Sequence, residues 1–344
     1  MARKSKTVDL DRENDIAPGL VAKTKKRLVV AGGRSHPALS AEVAEAIGTE
    51  LVPTEYRTFA SGEILTRFEV SIRGCDFFLI QSFGPPVNEW LMETLIMLDA
   101  AKRASAKRIT VVAPYYPYSR QDKKSRGREP ISARLVADLL KTAGADRIMS
   151  VDLHAAQIQG FFDGPVDHLF AKPVLLEYFE RTLTGDDRAK LTVVSPDTGR
   201  VRVADTWSDS LGAPLAIIHK RRDPNVANEV TVNEIVGEVD GRVCLLVDDM
   251  IDTGGTIVKA AEALKKSGAE RVIVAATHAI FSDPAAERLQ SEAIDEVVVT
   301  DTVPIPPGKR FASLTVLPIA PLLARAIHEV FEDGSVTSMF DGAA

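Results

Sequence analysis

The sequence predicts an α/β protein of two tandem domains of one architecture, each a mainly parallel sheet flanked by helices, and three observations lead to it. The first is the apolar run Val243-Cys244-Leu245-Leu246-Val247, the pattern of a strand buried on both faces, followed by two carboxylates and a glycine-rich turn into a helix. The second is an echo: strand, helix, turn and strand over residues 75–113 recur over residues 241–276. The third is length, since 344 residues suffice for two cores and a composition of 45% hydrophobic and 26% charged residues is that of a globular chain.

Residues 1 to about 26 mix charges with Pro18 and Gly19 and keep no period, so a flexible tail is expected there, with domains over 27–170 and 171–340. Residues 27–31 begin the first strand, Gly32 to Pro37 turn, and 38–47 have helical spacing. The G-x-G-x-x-G spacing of a dinucleotide site is absent, and His36 beside Pro37 reads as the start of a helix. Residues 59–63 read as a hairpin turn before a strand over 65–72. Residues 75–81, 147–151, 191–195, 215–219 and 296–300 read as further strands, and residues 86–103, 132–141 and 256–266 as helices.

Composition also excludes classes of function. A net charge of −6 argues against a nucleic-acid binder, and no apolar run has the length of a signal peptide core or membrane span. The two cysteines, Cys75 and Cys244, lie in strand-like runs, which suggests buried thiols in a reducing, cytoplasmic setting.

The chemistry gathers at strand ends. After Val247 come Asp248, Asp249 and then Asp252-Thr253-Gly254-Gly255-Thr256 at a strand-to-helix junction. A glycine pair there lets backbone N–H groups turn toward one point, where the helix N-terminus favours a phosphate and the two threonines can add hydroxyl donors. Asp248 and Asp249 would repel that phosphate, so they are expected to accept from sugar hydroxyls or to hold a metal. Together these parts describe a site for a ribose phosphate.

Other strand ends carry polar groups too. Five Lys or Arg fall between Arg120 and Arg128 after three tyrosines, where α/β sheets bind ligands. His154 and Asp197 each follow an apolar run, and Lys220-Arg221-Arg222 leave the strand over 215–219. Three adjacent cations favour an anion, so a mobile loop closing over phosphates is the expectation.

These motifs resemble those of the ribose-phosphate pyrophosphokinases, also called phosphoribosyl pyrophosphate synthetases. The resemblance runs in order through Phe59 to Glu63, Tyr118-Ser119-Arg120-Gln121-Asp122, Arg128-Glu129-Pro130-Ile131, Val151-Asp152-Leu153-His154, Gln157 to Phe162, Ser195-Pro196-Asp197, Lys220-Arg221-Arg222 and Asp248 to Thr256. It implies two phosphoribosyltransferase-like domains and transfer of the pyrophosphoryl group of Mg-ATP to the 1-hydroxyl of ribose 5-phosphate. It also implies ATP contacts from Phe59, Ser61, Gly62, Glu63, Arg120 and Gln121. Ribose 5-phosphate would be held by Arg222, Asp248, Asp249, Asp252, Thr253, Gly254, Gly255 and Thr256. Lys220 and Arg222 would stabilise the transition state, and His154 and Asp197 would form the Mg2+ site. Magnesium prefers oxygen, so His154 is as readily expected at a metal-held water or a phosphate.

The resemblance further implies a homo-oligomer, often a hexamer, with phosphate and ADP as effectors at a subunit interface. The chain departs from the usual pattern at five places: Ser61 replaces an Asp common in the family, Arg200 a second Gly after Gly199, His219 an Asp, Pro318-Ile319 a Ser-Val, and the loop after Arg222 is not the commonest version. Two other classes stay open. A phosphoribosyltransferase needs only the phosphate turn, and a non-catalytic regulatory homologue would lose cations or acids that this chain retains.

Overall fold

The computed structural model describes residues 26–222 and 231–340, apart from the side chains of residues 220–222 and 231–233. The expected tail therefore falls outside the described residues except for Lys26. Its ammonium donates to the Phe331 carbonyl (2.6 Å) and pairs with Asp333.

The chain begins with β1 (Leu28–Gly32), α1 (Pro37–Ile47), β2 (Thr54–Thr58), β3 (Ile64–Phe68), β4 (Asp76–Ile80), α2 (Val87–Arg103) and β5 (Arg108–Ala113). It continues through α3 (Ser132–Ala143), β6 (Arg147–Val151) and β7 (Val166–Leu169). Strands β1, β4, β5, β6 and β7 pair in that order as one parallel sheet, while β2 and β3 form a separate antiparallel hairpin. Every residue of β4 is buried, as two flanking helical layers require of its continuous apolar sequence.

The second half follows with α4 (Lys172–Thr182), α5 (Gly185–Ala189), β8 (Leu191–Ser195), α6 (Val201–Leu211), β9 (Leu215–Arg222), β10 (Thr231–Val236) and β11 (Val243–Ile251). It ends with α7 (Gly255–Lys266), β12 (Arg271–Ala279), α8 (Ala285–Arg288), β13 (Glu296–Thr300), β14 (Leu314–Leu317) and α9 (Ala320–Phe331). Its seven strands lie in the order β10-β9-β8-β11-β12-β13-β14, parallel except for β10.

Two strands outrun their apolar signal. The acid pair, expected just past a strand, lies within β11, because β12 continues alongside with Asp248 opposite Ala276 and Met250 opposite His278. The three cations, expected in a mobile loop, have strand backbone to Arg222, since β10 pairs antiparallel with Lys220 opposite Asn233 and Arg222 opposite Thr231. The loop expected beyond them covers residues 223–230, outside the described residues.

The two halves share a core. Helix α9 of the second half packs on α1 of the first, so the second half lends a helix to the first. One buried cluster runs from Val30, Leu39 and Phe78 to Val193, Leu245, Ile273, Leu323 and Ile327. Leu323 is fully buried at that seam. Leu323→Ala should therefore lower unfolding free energy by roughly 2–5 kcal/mol, the range for truncating a buried leucine, as read from chemical denaturation. A loss below about 0.5 kcal/mol, ordinary for a surface change, would show that the seam carries little of the fold.

Candidate functional site

The carboxyl ends of β5, β6, β8, β9 and β11 supply the expected ligand-bearing segments, the usual location for ligand binding in open α/β sheets. At the end of β11 the Asp249 N–H donates to Asp248 Oδ1 (2.8 Å). Asp249 Oδ2 lies 2.6 Å from His154 Nδ1, which comes from the loop after β6 in the other sheet. Arg200, in the turn between β8 and α6, places Nη2 2.6 Å from that same Asp249 oxygen and Nε 3.4 Å from Asp248 Oδ1. Its guanidinium also approaches the His154 carbonyl (3.3 Å) and Nδ1 (2.6 Å).

Charge divides unequally across the acid pair. Burial pushes the Asp248 carboxyl up, and the negative charge of Asp249 adds to the rise. Burial works the same way on Asp249, but the His154 hydrogen bond and the Arg200 charge outweigh it and hold Asp249 below its usual value. One carboxylate thus stays firmly ionised while its neighbour is disposed to keep a proton.

The turn after β11 has the form expected of a phosphate cradle. Gly254 has φ +72° at the N-cap of α7, a left-handed conformation costly for residues with a Cβ, and Val258 N–H donates to its carbonyl (3.0 Å). Thr253 and Thr256 are exposed beside it, and Gly255 is partly covered. Arg288 Nη1 donates to the Thr253 carbonyl (3.1 Å). Asp252 accepts a 2.7 Å ion pair from Arg120 Nη1, so the basic loop of the first half reaches the phosphate turn of the second.

The other expected residues lie around this junction or apart from it. Asp197 Oδ1 accepts the N–H groups of Gly199 (2.8 Å) and Arg200 (3.1 Å), leaving Oδ2 outside both bonds. Gln121 Oε1 accepts from Ser132 Oγ (2.6 Å) and its carbonyl from Ala133 N–H (3.2 Å), so it holds the start of α3. Phe59, Ser61, Gly62 and Glu63 form the β2–β3 turn, with Phe59 N–H donating to the Glu63 carbonyl (2.8 Å) and Ser61 Oγ to Glu63 Oε2 (2.8 Å). No described hydrogen bond or ion pair joins that turn to the acid pair. The backbones of Lys220 and Arg222 stand at the end of β9, paired with β10 and past the last residue that pairs with β8. His36, read as a helix-start residue, is the N-cap of α1: its Nδ1 accepts from Leu39 N–H (3.3 Å).

Three residues that position the site were given no role from the sequence. Arg200 was visible only as a departure from a Gly. Asp152 has φ +39°, and its carboxylate accepts from Ala171 N–H (3.0 Å) and Thr277 Oγ1 (2.6 Å). Buried His278 lies with Nε2 3.1 Å from the Asp152 carbonyl and Nδ1 2.9 Å from Thr302 Oγ1. The strained turn that aims His154 is thus held from the opposite half. Only pairs more than a hundred residues apart would have revealed it.

A glycine turn at a helix N-terminus, an acid pair and a basic loop on paired α/β sheets are the parts expected of a protein that binds a phosphorylated sugar and a second anionic ligand. Residues 28–144 match the family described as the N-terminal domain of ribose phosphate pyrophosphokinase, and residues 224–341 match the phosphoribosyl synthetase-associated domain. A ribose-phosphate pyrophosphokinase of Streptomyces avermitilis is 62% identical over 323 residues, covering 94% of this chain and 99% of that one. The Mycobacterium tuberculosis protein of that name is 59% identical over 321 residues, 93% of this chain and 98% of its own. The crystal structure of phosphoribosylpyrophosphate synthetase from Mycobacterium smegmatis superposes with a TM-score of 0.84 at 57% identity, covering 90% of this chain and all of that one. The chain belongs to the ribose-phosphate pyrophosphokinase family, and its two halves are phosphoribosyltransferase-like domains.

A half-buried imidazole beside the site gives a pH test. Burial lowers His168, whose Nε2 accepts the Leu153 N–H at 2.9 Å, to about 4, and lowers His278 likewise to about 4. A folded value below the ordinary 6.5 means that the unfolded chain takes up the proton first. The stability from each neutral ring is complete above pH 6.5 and is lost as pH falls toward 4. Asp152, raised to about 6 by burial, has the opposite sign: its contribution is complete below 3.8 and is lost as pH rises through 6. Between about pH 7 and 5, His168→Gln should lose roughly 1–2 kcal/mol less unfolding free energy than wild type in denaturant titrations. Equal losses would remove His168 from the account.

Proposed function

We propose that the chain transfers the pyrophosphoryl group of ATP to the 1-hydroxyl of ribose 5-phosphate, giving 5-phospho-α-D-ribose 1-diphosphate and AMP. The observation that carries this reading is that His154 and Arg120 of the first half touch Asp249 and Asp252 of the second, which supports a nucleotide-side loop facing a sugar-phosphate cradle. The ribose oxygen forms the new bond to the β-phosphorus, and the bridge from that phosphorus to the α-phosphate breaks. No covalent protein intermediate is required, only alignment and neutralisation of charge.

In this reading Asp252, Thr253, Gly254, Gly255 and Thr256 hold the 5-phosphate, with Arg222 adding a cation. Asp248 and Asp249 accept from the ribose hydroxyls. Phe59, Ser61, Gly62, Glu63, Arg120 and Gln121 meet ATP, and Lys220 and Arg222 act on the transition state from the end of β9. Residues 27–170 present the nucleotide and residues 171–340 the sugar, with α9 as the helix that crosses back.

Among the described residues no three His, Cys, Asp or Glu side chains gather as a metal cage. The donor chemistry still suits a cation carried on phosphate, because Asp197 Oδ2 and His154 Nε2 enter none of the bonds above and magnesium usually needs only one or two protein ligands. His154 and Asp197 would hold it. Mg2+, when bound, supplies charge to offset that building on the phosphoryl oxygens.

Two buried free cysteines support a reducing, cytoplasmic setting, and no helix among the described residues is long and apolar enough to cross a membrane. Ile131, Leu135 and Leu139 stay exposed along α3, with Leu135 57% accessible, which supports a homo-oligomer whose copies cover that face. A hexamer is the form the family resemblance implies.

Steady-state AMP release tests the activity. Asp252→Asn should raise KM for ribose 5-phosphate well above any change in KM for ATP, and an equal rise in both would sink the assignment of the turn. Lys220→Ala should lower kcat by roughly 10²–10³ while direct ATP binding and the thermal midpoint hardly move, the pattern of a donor acting mainly in the transition state. Near-normal kcat would return the cations to a solvated charge run.

A further inference from the structure

We propose that Arg34 is a positioning residue for the nucleotide: from the turn after β1 it pins the working end of the β2–β3 hairpin, so that the contacts of Phe59 to Glu63 with ATP depend on it. The inference rests on the proposed ATP role of that turn and assigns the residue that holds the turn in place. Among the described strands β2 and β3 pair only with each other, and a two-stranded ribbon alone is marginally stable in water. Its base is packed, since β3 lies on α2 and the Phe68 ring meets Phe77 edge-on with centroids 5.1 Å apart. Its far end overhangs: Thr58, the last residue of β2, and Phe59 to Glu63 after it are exposed.

Arg34 reaches that end from a fixed mount. The Gly33 N–H donates to the Ile80 carbonyl (2.8 Å), and Ser35 gives both its N–H (3.1 Å) and its hydroxyl (2.7 Å) to Gln81 Oε1. A side chain on Gly33 would collide with Gln81, whose Oε1 lies 2.2 Å from where a Cβ would stand. The Arg34 N–H donates to Glu93 Oε1 (2.8 Å) and its Nε to Glu93 Oε2 (2.5 Å), while Gln81 Nε2 donates to Oε1 from 3.0 Å. Glu93 is fully buried on α2, and a buried carboxylate left without its partner is costly, so this charge ties Arg34 in place.

Neutralising Glu93 would require only the single charged nitrogen of a lysine. The guanidinium does more. Its Nη1 donates to Thr58 Oγ1 (3.3 Å), and its central carbon lies 5.5 Å from the centre of the Tyr56 ring. Tyr56 and Thr58 alternate onto one face of β2, and the Tyr56 hydroxyl donates to the Gly32 carbonyl. Burial raises that hydroxyl to about 12, so it remains a donor. Residues 32–34 thus grip the inner face of β2, and the bond from Arg34 to Thr58 is the described hydrogen bond from outside the hairpin that lies nearest the turn, one residue before Phe59. Without it the turn can swing on its packed base, which would weaken ATP and leave the ribose 5-phosphate cradle of the other half as it is.

The test is equilibrium binding of the non-reacting α,β-methylene analogue of ATP, with Mg2+, to the full chain, and of ribose 5-phosphate to the same variants. Arg34→Lys keeps the charge beside Glu93, and Thr58→Val leaves that ion pair untouched. Each should weaken the analogue about fivefold or more, the scale of one modest hydrogen bond, while ribose 5-phosphate binding holds. Thr58→Ser, which keeps the hydroxyl, should bind the analogue as wild type does. Arg34→Lys combined with Thr58→Val should be no weaker than the poorer single variant, because both remove one contact. A folded single variant with wild-type affinity overturns the proposal, as do fully additive losses or a Thr58→Ser as weak as Thr58→Val. If Arg34→Lys does not fold, Thr58→Val and Thr58→Ser, both changes of an exposed residue, decide. Phe59→Ala separates this inference from the reading beneath it. If Phe59→Ala weakens the analogue and the Arg34 and Thr58 variants do not, the turn meets ATP and only Arg34's role falls; if Phe59→Ala binds as wild type, the ATP role of the turn falls and Arg34's with it.

Discussion

Two adjacent carboxylates at the end of a buried central strand impose the constraint around which the site is arranged. Removing each charge from water costs several kcal/mol, and an unpaired one is tolerated only by losing its charge. The sheet cannot supply the compensation alone, because β12, on the other side of β11, presents Ala276 opposite Asp248. Compensation comes instead from the turn after β8 as Arg200 and from the opposite sheet as His154. The electrostatic demand of one strand end thus helps to fix how the two halves meet.

That meeting also explains why the duplication is functional. Each half alone offers strand ends with a few polar groups. Placed together, the first contributes His154 and Arg120, the second the acid pair and the cradle, and a buried polar chain of Asp152, Thr277, His278 and Thr302 passes between them. Burial lowers His278 to about 4, so this ring stays neutral and its two nitrogens serve one donor and one acceptor role, as a hydroxyl and a carbonyl require.

Much of the fold was legible because strands buried on both faces have an unbroken apolar signature, as in β4, β8 and β11. The same signature misplaced their ends. A strand stops where its partner stops, so polar residues such as Asp248 and Lys220 stay in the ladder while the apolar pattern has already failed. Among site residues, the glycine turn was readable because its conformation depends on local backbone chemistry. The burden on Asp152 and the closure of Arg200 over Asp249 were not, since each depends on a partner distant in sequence. The departure at Arg200 was visible as a residue change, but its meaning required the position of His154.

Helix α9 finally bears on the order in which the chain matures. The face of α1 that it covers belongs to the half made first, whereas α9 is made only after the strands of both sheets. During synthesis the early sheet can pair its strands, yet part of its apolar surface must wait for residues some three hundred positions later. The nascent first half is therefore an incomplete globule with a sticky flank until α9 has been made and docked.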